Sequence, residues 1–210
     1  MRTPDRWDTA RATVTIAIVT GLIELIISVF EPGPWILRGA FFARSWSEGT
    51  DFPWALATPL TATLLHAGLF HLLFNLLILL FCGRAVEGAL GPANLVILYV
   101  VGAYAAAAAQ VAVDPASPYP MIGASGAISA VIGAYAMLFG KNRVAVSDPK
   151  LALWLNVLWL LAAWVVLQVA MAIVLSAGQG ILLAVGAHIG GFIAGVILAR
   201  PLLLWRYRRA

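Results

Sequence analysis

Long apolar stretches, separated by short polar segments, run through almost the whole of this 210-residue chain. Hydrophobic residues make up 62% of it and charged residues only 10%, whereas soluble domains average about 45–50% and about 25%. Polar side chains this scarce cannot cover the surface of a soluble fold. Because about 20 apolar residues of helix cross the hydrocarbon core of a bilayer, the stretches predict an all-α integral membrane protein.

We predict six membrane-spanning helices that form one bundle over residues 12–204. Their predicted bounds are 12–30, 64–82, 93–113, 121–140, 151–177 and 180–204. A polar N-terminal segment (1–11), an outer loop (31–63) with aromatic residues suited to the membrane interface, and a basic tail (205–210) complete the chain. The first apolar run is interpreted as a span rather than a signal peptide, because it is long, contains Glu24 and lacks a small-x-small cleavage site.

The positions of lysine and arginine predict which ends of the spans face the cytoplasm. With the N-terminus inside, only Arg38 and Arg44 fall on the outer side. The remaining basic residues fall on the inner side: Arg2, Arg6, Arg11, Arg84, Lys141, Arg143, Lys150, Arg200, Arg206, Arg208 and Arg209. Both termini are therefore expected to be cytoplasmic. In this arrangement Ser125, His71 and His188 lie at a similar depth, in the outer half of the membrane.

Composition also narrows the classes of ligand. The net charge of +4 includes no basic patch interleaved with aromatic residues, so no nucleic-acid partner is expected. Cys82 is the single cysteine, which excludes an internal disulfide and a cysteine-based metal site. His71 and Asn75 have the spacing of paired zinc ligands, but the helix lacks the glutamate of a His-Glu-x-x-His motif. We therefore predict no metal and no cofactor.

A serine flanked by glycines stands where a polar, proline-rich segment meets the fourth span. Gly123 and Gly126 leave room around Ser125 for other groups to approach. The pattern differs from the Gly-x-Ser-x-Gly elbow of soluble hydrolases, because residue 127 is alanine. Two interpretations are open at this point: an activated nucleophile, or a packing stripe of small residues continued by Ser129.

The sixth span carries a histidine on a face of small residues. Gly191 and Gly195 follow His188 at three and seven positions, which places them on its helical face. Two helices with small residues at their interface can approach closely. Ser125 and His188 could then form a nucleophile–base pair. The alternative is a plain packing motif with an incidental histidine.

The second span offers hydrogen-bond donors near the same depth. His71 and Asn75 are four residues apart, hence on one face. Donors aimed at the oxygen of a tetrahedral intermediate form an oxyanion hole. His66, five residues before His71, is interpreted as a brace at the mouth of the helix. No carboxylate stands on the outer turns of these spans, so the predicted centre has two catalytic residues rather than three.

In combination, these motifs resemble those of rhomboid intramembrane serine proteases over roughly residues 54–199. The matching segments are His66-x4-His71-x3-Asn75, Gly83-Arg84-x2-Glu87 with Gly91, Gly123-x-Ser125-Gly126 and Ala187-His188-x2-Gly191-x3-Gly195. The resemblance implies a six-helix bundle of rhomboid type with a cavity open to the outside. It implies Ser125 as nucleophile and His188 as general base, with His71, Asn75 and the Ser125 backbone N–H as oxyanion donors. It also implies a side gate at the fifth helix.

Two positions depart from the family pattern. The family often has Trp-Arg in its first outer loop, whereas Trp54 is followed here by Ala55. The family also commonly has an aromatic residue four positions after the nucleophile, stacked on the base, and here that position is Ser129. The first departure concerns the stability of the loop. The second concerns what holds His188 in place.

The favoured hypothesis is an endopeptidase that cleaves transmembrane protein substrates within the lipid bilayer, near the outer face. The alternative is a catalytically weak or inactive rhomboid-like scaffold that binds membrane clients. A small transporter or channel ranks last, because the inner half of the spans is almost wholly apolar. With no large soluble domain and no transit-like leader in the sequence, we expect a prokaryotic plasma membrane.

Overall fold

The computed structural model describes residues 10–30, 32–50, 53–140, 146–175 and 185–208. Ten α-helices account for most of this part of the chain, and no strand is present within it. The helices are α1 (Arg11–Val29), α2 (Pro32–Gly39), α3 (Ala43–Glu48), α4 (Trp54–Thr61), α5 (Leu69–Ile78), α6 (Arg84–Leu90), α7 (Pro92–Val113), α8 (Ser125–Phe139), α9 (Pro149–Leu175) and α10 (Val185–Arg206). A π-helical turn, Leu79–Gly83, joins α5 to α6.

Five helical stretches in the described residues are long and apolar enough to cross a membrane. They are Arg11–Val29, Leu69–Leu90, Pro92–Val113, Pro149–Ala170 and Val185–Arg206. The sequence predicted six spans. The predicted fourth span, 121–140, corresponds to α8, which has only 15 residues and is therefore not among these five stretches. At 1.5 Å per residue α8 is about 22 Å long, shorter than the hydrocarbon core of about 30 Å. In a bilayer at least one end of α8 would therefore lie within the hydrocarbon core.

The short helix α8 is also the most enclosed one. Eleven of its residues are buried, from Ser125 to Phe139. Helices α7 and α10 pack against it and against each other, and α9 contacts it over a much smaller area. Surrounding protein can satisfy the backbone groups at the ends of α8, which a lipid-exposed helix end could not achieve at this depth. The fold thus places this 15-residue helix between the longer helices α7 and α10.

The predicted outer loop, 31–63, is largely helical and contains α2, α3 and α4. Phe41 and Met121 exchange backbone hydrogen bonds of 3.0 and 2.8 Å, which tie this segment to the chain just before α8. The indole N–H of Trp54 donates to the carbonyl of Arg38 at 2.7 Å, and the Arg38 guanidinium lies 5.9 Å from the Trp54 ring centroid. Arg38 and Trp54 are thus in contact although 16 residues separate them in the chain.

The second span is longer than predicted, because helical structure continues from Leu69 to Leu90. This extension contains Glu87, whose side chain is 1% exposed. Its carboxylate accepts hydrogen bonds from the backbone N–H groups of Ala12 and Thr13 at 2.9 and 2.8 Å, and from the Thr13 hydroxyl at 2.7 Å. The first amides of α1 have no partner within the helix. Glu87 therefore caps α1 and gives the predicted Gly83-Arg84-x2-Glu87 segment a structural role.

The predicted segments at both chain ends lie mostly or partly outside the described residues. Residues 1–9 of the N-terminal segment are not described, and neither are 209–210 of the tail. The predicted start of the sixth span at residue 180 also falls outside, and the described helix α10 begins at Val185.

Replacing Glu87 by alanine is expected to destabilise the fold by about 2–4 kcal/mol, because it leaves buried donors without an acceptor. The check is the midpoint of thermal unfolding in detergent micelles. Glu48→Ala is the matched control, since that carboxylate is 58% exposed and lies 3.9 Å from Arg44, where an ion pair contributes little. Equal midpoints for the two variants would contradict the capping role.

Candidate active site

Ser125 is the first residue of α8 and is 7% exposed. The chain enters the helix through Gly123, which has a φ of +115°, a conformation that residues with a Cβ rarely adopt. The amides of the first turn of a helix lack an acceptor one turn earlier, and the helix dipole is positive at this end. The backbone N–H of Ser125 therefore belongs to a local environment that favours a negative charge.

The Ser125 hydroxyl lies 2.8 Å from Nε2 of His188, which is on the first turn of α10. Both side chains are buried, and His188 is 6% exposed. Nδ1 of His188 has no hydrogen-bond partner among the described residues. No carboxylate orients the imidazole within that part of the chain, so the arrangement consists of two groups, a hydroxyl and an imidazole.

Glycines in α10 allow the serine and the histidine to meet. A Cβ on Gly191 would overlap the carbonyl oxygen of Gly126, and one on Gly195 would overlap that of Ala130. The backbones of α8 and α10 are therefore in direct contact on the face that carries His188. This contact brings the two helices closer than larger residues would permit.

His71 lies beside Ser125 because Gly123 has no side chain. A Cβ on Gly123 would be 2.6 Å from Cε1 and 2.8 Å from Nε2 of His71, and 3.7 Å from the Ser125 hydroxyl oxygen. Nδ1 of His71 accepts the backbone N–H of Ala67 at 3.3 Å. In the neutral ring the proton is then on Nε2. The ring therefore presents an N–H donor toward Gly123, two residues before Ser125.

Asn75 is one helical turn after His71 and is 1% exposed. Its Nδ2 donates to the carbonyl oxygen of His71 at 2.9 Å. A side-chain amide has two N–H donors, so this bond uses only one of them. Its Oδ1 has no hydrogen-bond partner in the described residues. The structure thus ties Asn75 to its own helix and leaves one amide donor for another acceptor.

His66 packs beside the site rather than in it. Its ring contacts His71 edge-on, with centroids 5.0 Å apart. Its backbone N–H donates to the Glu24 carboxylate at 3.0 Å, while its Nδ1 is 3.9 Å from that carboxylate. Glu24, on α1, therefore anchors the segment that leads into α5. His66 thus contacts the ring of His71, and its role as a brace stays a prediction.

Two residues of α9 that no sequence motif singled out also contact His188. Trp164 contacts the His188 ring edge-on, with centroids 6.2 Å apart. Gln168 places Nε2 of its amide 3.3 Å from Nε2 of His188. Both are buried, at 4% and 6% exposure. An amide in the middle of an apolar span is costly unless it has a partner, and this signal at Gln168 could have identified the fifth span as part of the site.

No group of three or more histidine, cysteine, aspartate or glutamate side chains in the described residues could hold a metal ion. The site therefore consists of a serine, histidines and amides. Their chemistry is proton transfer and hydrogen bonding at a buried hydroxyl.

The fold and this site define a multi-pass membrane protein with a buried serine–histidine pair at the start of its central helix. Residues 53–205 match the Rhomboid domain. This match covers more than half of the chain and includes every predicted site residue. The chain belongs to the rhomboid family.

Several curated relatives have protease in their names. Rhomboid protease GluP of Bacillus subtilis (strain 168) is 32% identical over 155 residues, which are 70% of this chain and 26% of the relative. Rhomboid protease GlpG of Enterobacter sp. (strain 638) is 29% identical over 164 residues, 75% of this chain and 52% of the relative. Rhomboid protease GlpG of Salmonella choleraesuis (strain SC-B67) is 32% identical over 146 residues, which are 66% of this chain and 46% of the relative. The matched region thus spans about a quarter to a half of these relatives.

Gly191→Ala is expected to reduce the reactivity of Ser125 toward a fluorophosphonate by about 100-fold, because small misplacements of reacting groups are costly. The added methyl group overlaps the Gly126 carbonyl and pushes α10 away from α8. Gly33→Ala is the control, since nothing lies within 4 Å of a Cβ at that position. Labelling of Gly191→Ala at the rate of Gly33→Ala would contradict this account of helix contact.

Proposed function

We propose that this protein is an intramembrane serine endopeptidase that hydrolyses peptide bonds in or near transmembrane helices of other membrane proteins. The observation that carries the proposal is the 2.8 Å contact between the Ser125 hydroxyl and Nε2 of His188, both buried. A serine hydroxyl is a weak nucleophile until a base accepts its proton. Membership of the rhomboid family and the names of its relatives support the same assignment.

In the proposed reaction His188 Nε2 takes the hydroxyl proton while the Ser125 oxygen attacks the scissile carbonyl carbon. The tetrahedral intermediate collapses as the C–N bond breaks, and the imidazolium returns the proton to the leaving amine. A water molecule then attacks the acyl-enzyme, with His188 again as base, and restores the Ser125 hydroxyl. No step requires a metal or a redox cofactor.

The negative oxygen of the intermediate would be held by donors from two helices. Nε2–H of His71 is directed toward Gly123, two residues before Ser125, and the Ser125 backbone N–H is at the positive end of α8. The second N–H of Asn75 would complete the set. Donors in a buried site are effective because they are oriented before the charge develops.

The proposed topology has six spans, with α8 as the short fourth one and both termini in the cytoplasm. The serine would then face the outer half of the membrane, with a prokaryotic plasma membrane as the expected location. A regular helix hides its carbonyl groups in hydrogen bonds, so substrates would need helix-weakening residues near the cleaved bond. Entry past α9, which packs on α8 less extensively than α7 and α10 do, is the proposed route.

Ser125→Ala and His188→Ala are each expected to abolish cleavage of a model transmembrane substrate in liposomes. Each removes one of the two reacting groups. A fluorophosphonate probe should label the wild type and leave Ser125→Ala unlabelled. Ser28→Ala serves as control, because that hydroxyl bonds to the Leu25 carbonyl on the exposed face of α1.

Cleavage by both catalytic variants would overturn the proposal. Binding of the substrate by the wild type with no turnover and no phosphonate labelling would instead favour a scaffold that holds membrane clients.

His71→Ala and Asn75→Ala are expected to lower kcat by about 10²–10³ with little change in KM, as for the loss of an oxyanion donor. The reason is that these donors contact an oxygen that becomes charged only in the transition state. Steady-state kinetics on the same substrate measure both parameters. A rise in KM at constant kcat would assign the two residues to substrate binding instead.

A further inference from the structure

Helix α9 contacts the proposed base with two side chains that are one turn apart. Trp164 lies edge-on to the His188 ring, and the Gln168 amide approaches Nε2 of the same ring at 3.3 Å. Positions four residues apart share a helical face. In the described part of the chain, the His188 ring makes its polar and aromatic contacts with Ser125, Gln168 and Trp164.

The indole of Trp164 is held by partners on two other helices. Its Nε1–H donates to the Ser129 hydroxyl oxygen at 2.7 Å, and the Ser129 hydroxyl in turn donates to the Ser125 carbonyl at 2.7 Å. Its ring stacks on Phe74 of α5, with centroids 6.0 Å apart and planes 10° apart. These contacts give the ring a defined position relative to α8. The indole of Trp164 can therefore restrict the movement of the His188 imidazole beside it.

Ser129 is too short to reach the imidazole as an aromatic residue at that position would. It is fully buried, and its hydroxyl is the acceptor that fixes the indole of Trp164. The chain thus has a serine where the family commonly has a ring, and a ring from another helix beside the base. The two features are linked by one hydrogen bond.

Gln168 adds a second constraint on the same imidazole. Nε2 of a neutral histidine has one lone pair, and both the Ser125 hydroxyl and the Gln168 amide lie within hydrogen-bond distance of it. The amide contact opposes rotation of the ring about its Cβ–Cγ bond, since rotation would break it. Trp164 limits the ring from its edge, and Gln168 limits it at the reacting nitrogen.

We propose that Trp164, fixed by Ser129, is a positioning residue for His188, assisted by Gln168. The alignment of the base then depends on the place of α9. The inference rests on the proposed function, since it concerns the efficiency of the Ser125–His188 pair. A displacement of α9 removes both contacts together, so after a substrate enters past α9 the helix has to pack against α8 and α10 again before the base is aligned.

The test compares Trp164→Ala and Trp164→Phe with Trp159→Ala. Trp159 is on the same helix and 67% exposed, so its loss should change nothing. For Trp164→Ala we expect kcat on a model transmembrane substrate, and the rate of fluorophosphonate labelling, to fall by about 10- to 100-fold at unchanged KM. Trp164→Phe keeps a ring beside His188 and should lose less. The thermal midpoint in micelles is measured for every variant.

A double variant distinguishes positioning from a merely structural role. Trp164→Ala together with Ser129→Phe removes the ring from α9 and places one on α8, one turn after Ser125. If the ring beside the base is what matters, labelling should recover to near the wild-type rate. A double variant no faster than Trp164→Ala would overturn the inference, because the defect would then come from the packing of α9.

Wild-type rates for Trp164→Ala would also overturn it. If Trp164→Ala does not fold, Trp164→Phe and Gln168→Met are measured instead. Reduced labelling at unchanged KM in both variants supports the inference. Wild-type rates in both variants overturn it. Failure of the proposed function has a separate signature, namely a wild type that is not labelled at Ser125. A labelled wild type with unaffected α9 variants would leave the function intact and reject only the positioning role.

Discussion

The direct contact between the backbones of α8 and α10 is the constraint on which the site depends. Gly191 and Gly195 leave no side chain between the helices, and the carbonyl groups of Gly126 and Ala130 occupy that space. In a bilayer the lipid tails are as apolar as the helix surfaces, so close packing rather than the hydrophobic effect holds the helices together. The same contact sets the distance from Ser125 to His188. Packing and chemistry are therefore properties of one interface.

Two carboxylates in the described part of the chain accept hydrogen bonds from backbone amides of other segments. Glu87 caps α1, and Glu24 accepts the amide of His66 just before α5. Such bonds offset the cost of placing carboxylates in an apolar environment. Neither carboxylate contacts His188, whose neighbours are instead an indole and an amide. The carboxylates of Glu87 and Glu24 thus connect segments of the bundle. The side chains of α9 that contact His188 are neutral.

Both departures from the family pattern are explained by contacts between residues that are distant in sequence. The Arg38 side chain contacts the Trp54 ring, although the residue that follows Trp54 in the chain is Ala55. Trp164 lies against His188, although the position one turn after the nucleophile is Ser129. A motif describes neighbours along the chain, whereas a site requires neighbours in space. A position that departs from the motif can therefore lie beside a residue from a distant part of the chain.

The sequence by itself determined the class of fold and most of the candidate site. Apolar runs of about 20 residues predict spans, glycine spacing predicts close helix contact, and a few polar residues in an apolar chain are conspicuous. It did not determine the helices α2, α3 and α4, the short length of α8, or the contacts of Trp164 and Gln168 with His188. Those features depend on which helix faces are neighbours. Periodicity shows that a helix has an apolar face, but only tertiary packing decides which side chain of another helix contacts it.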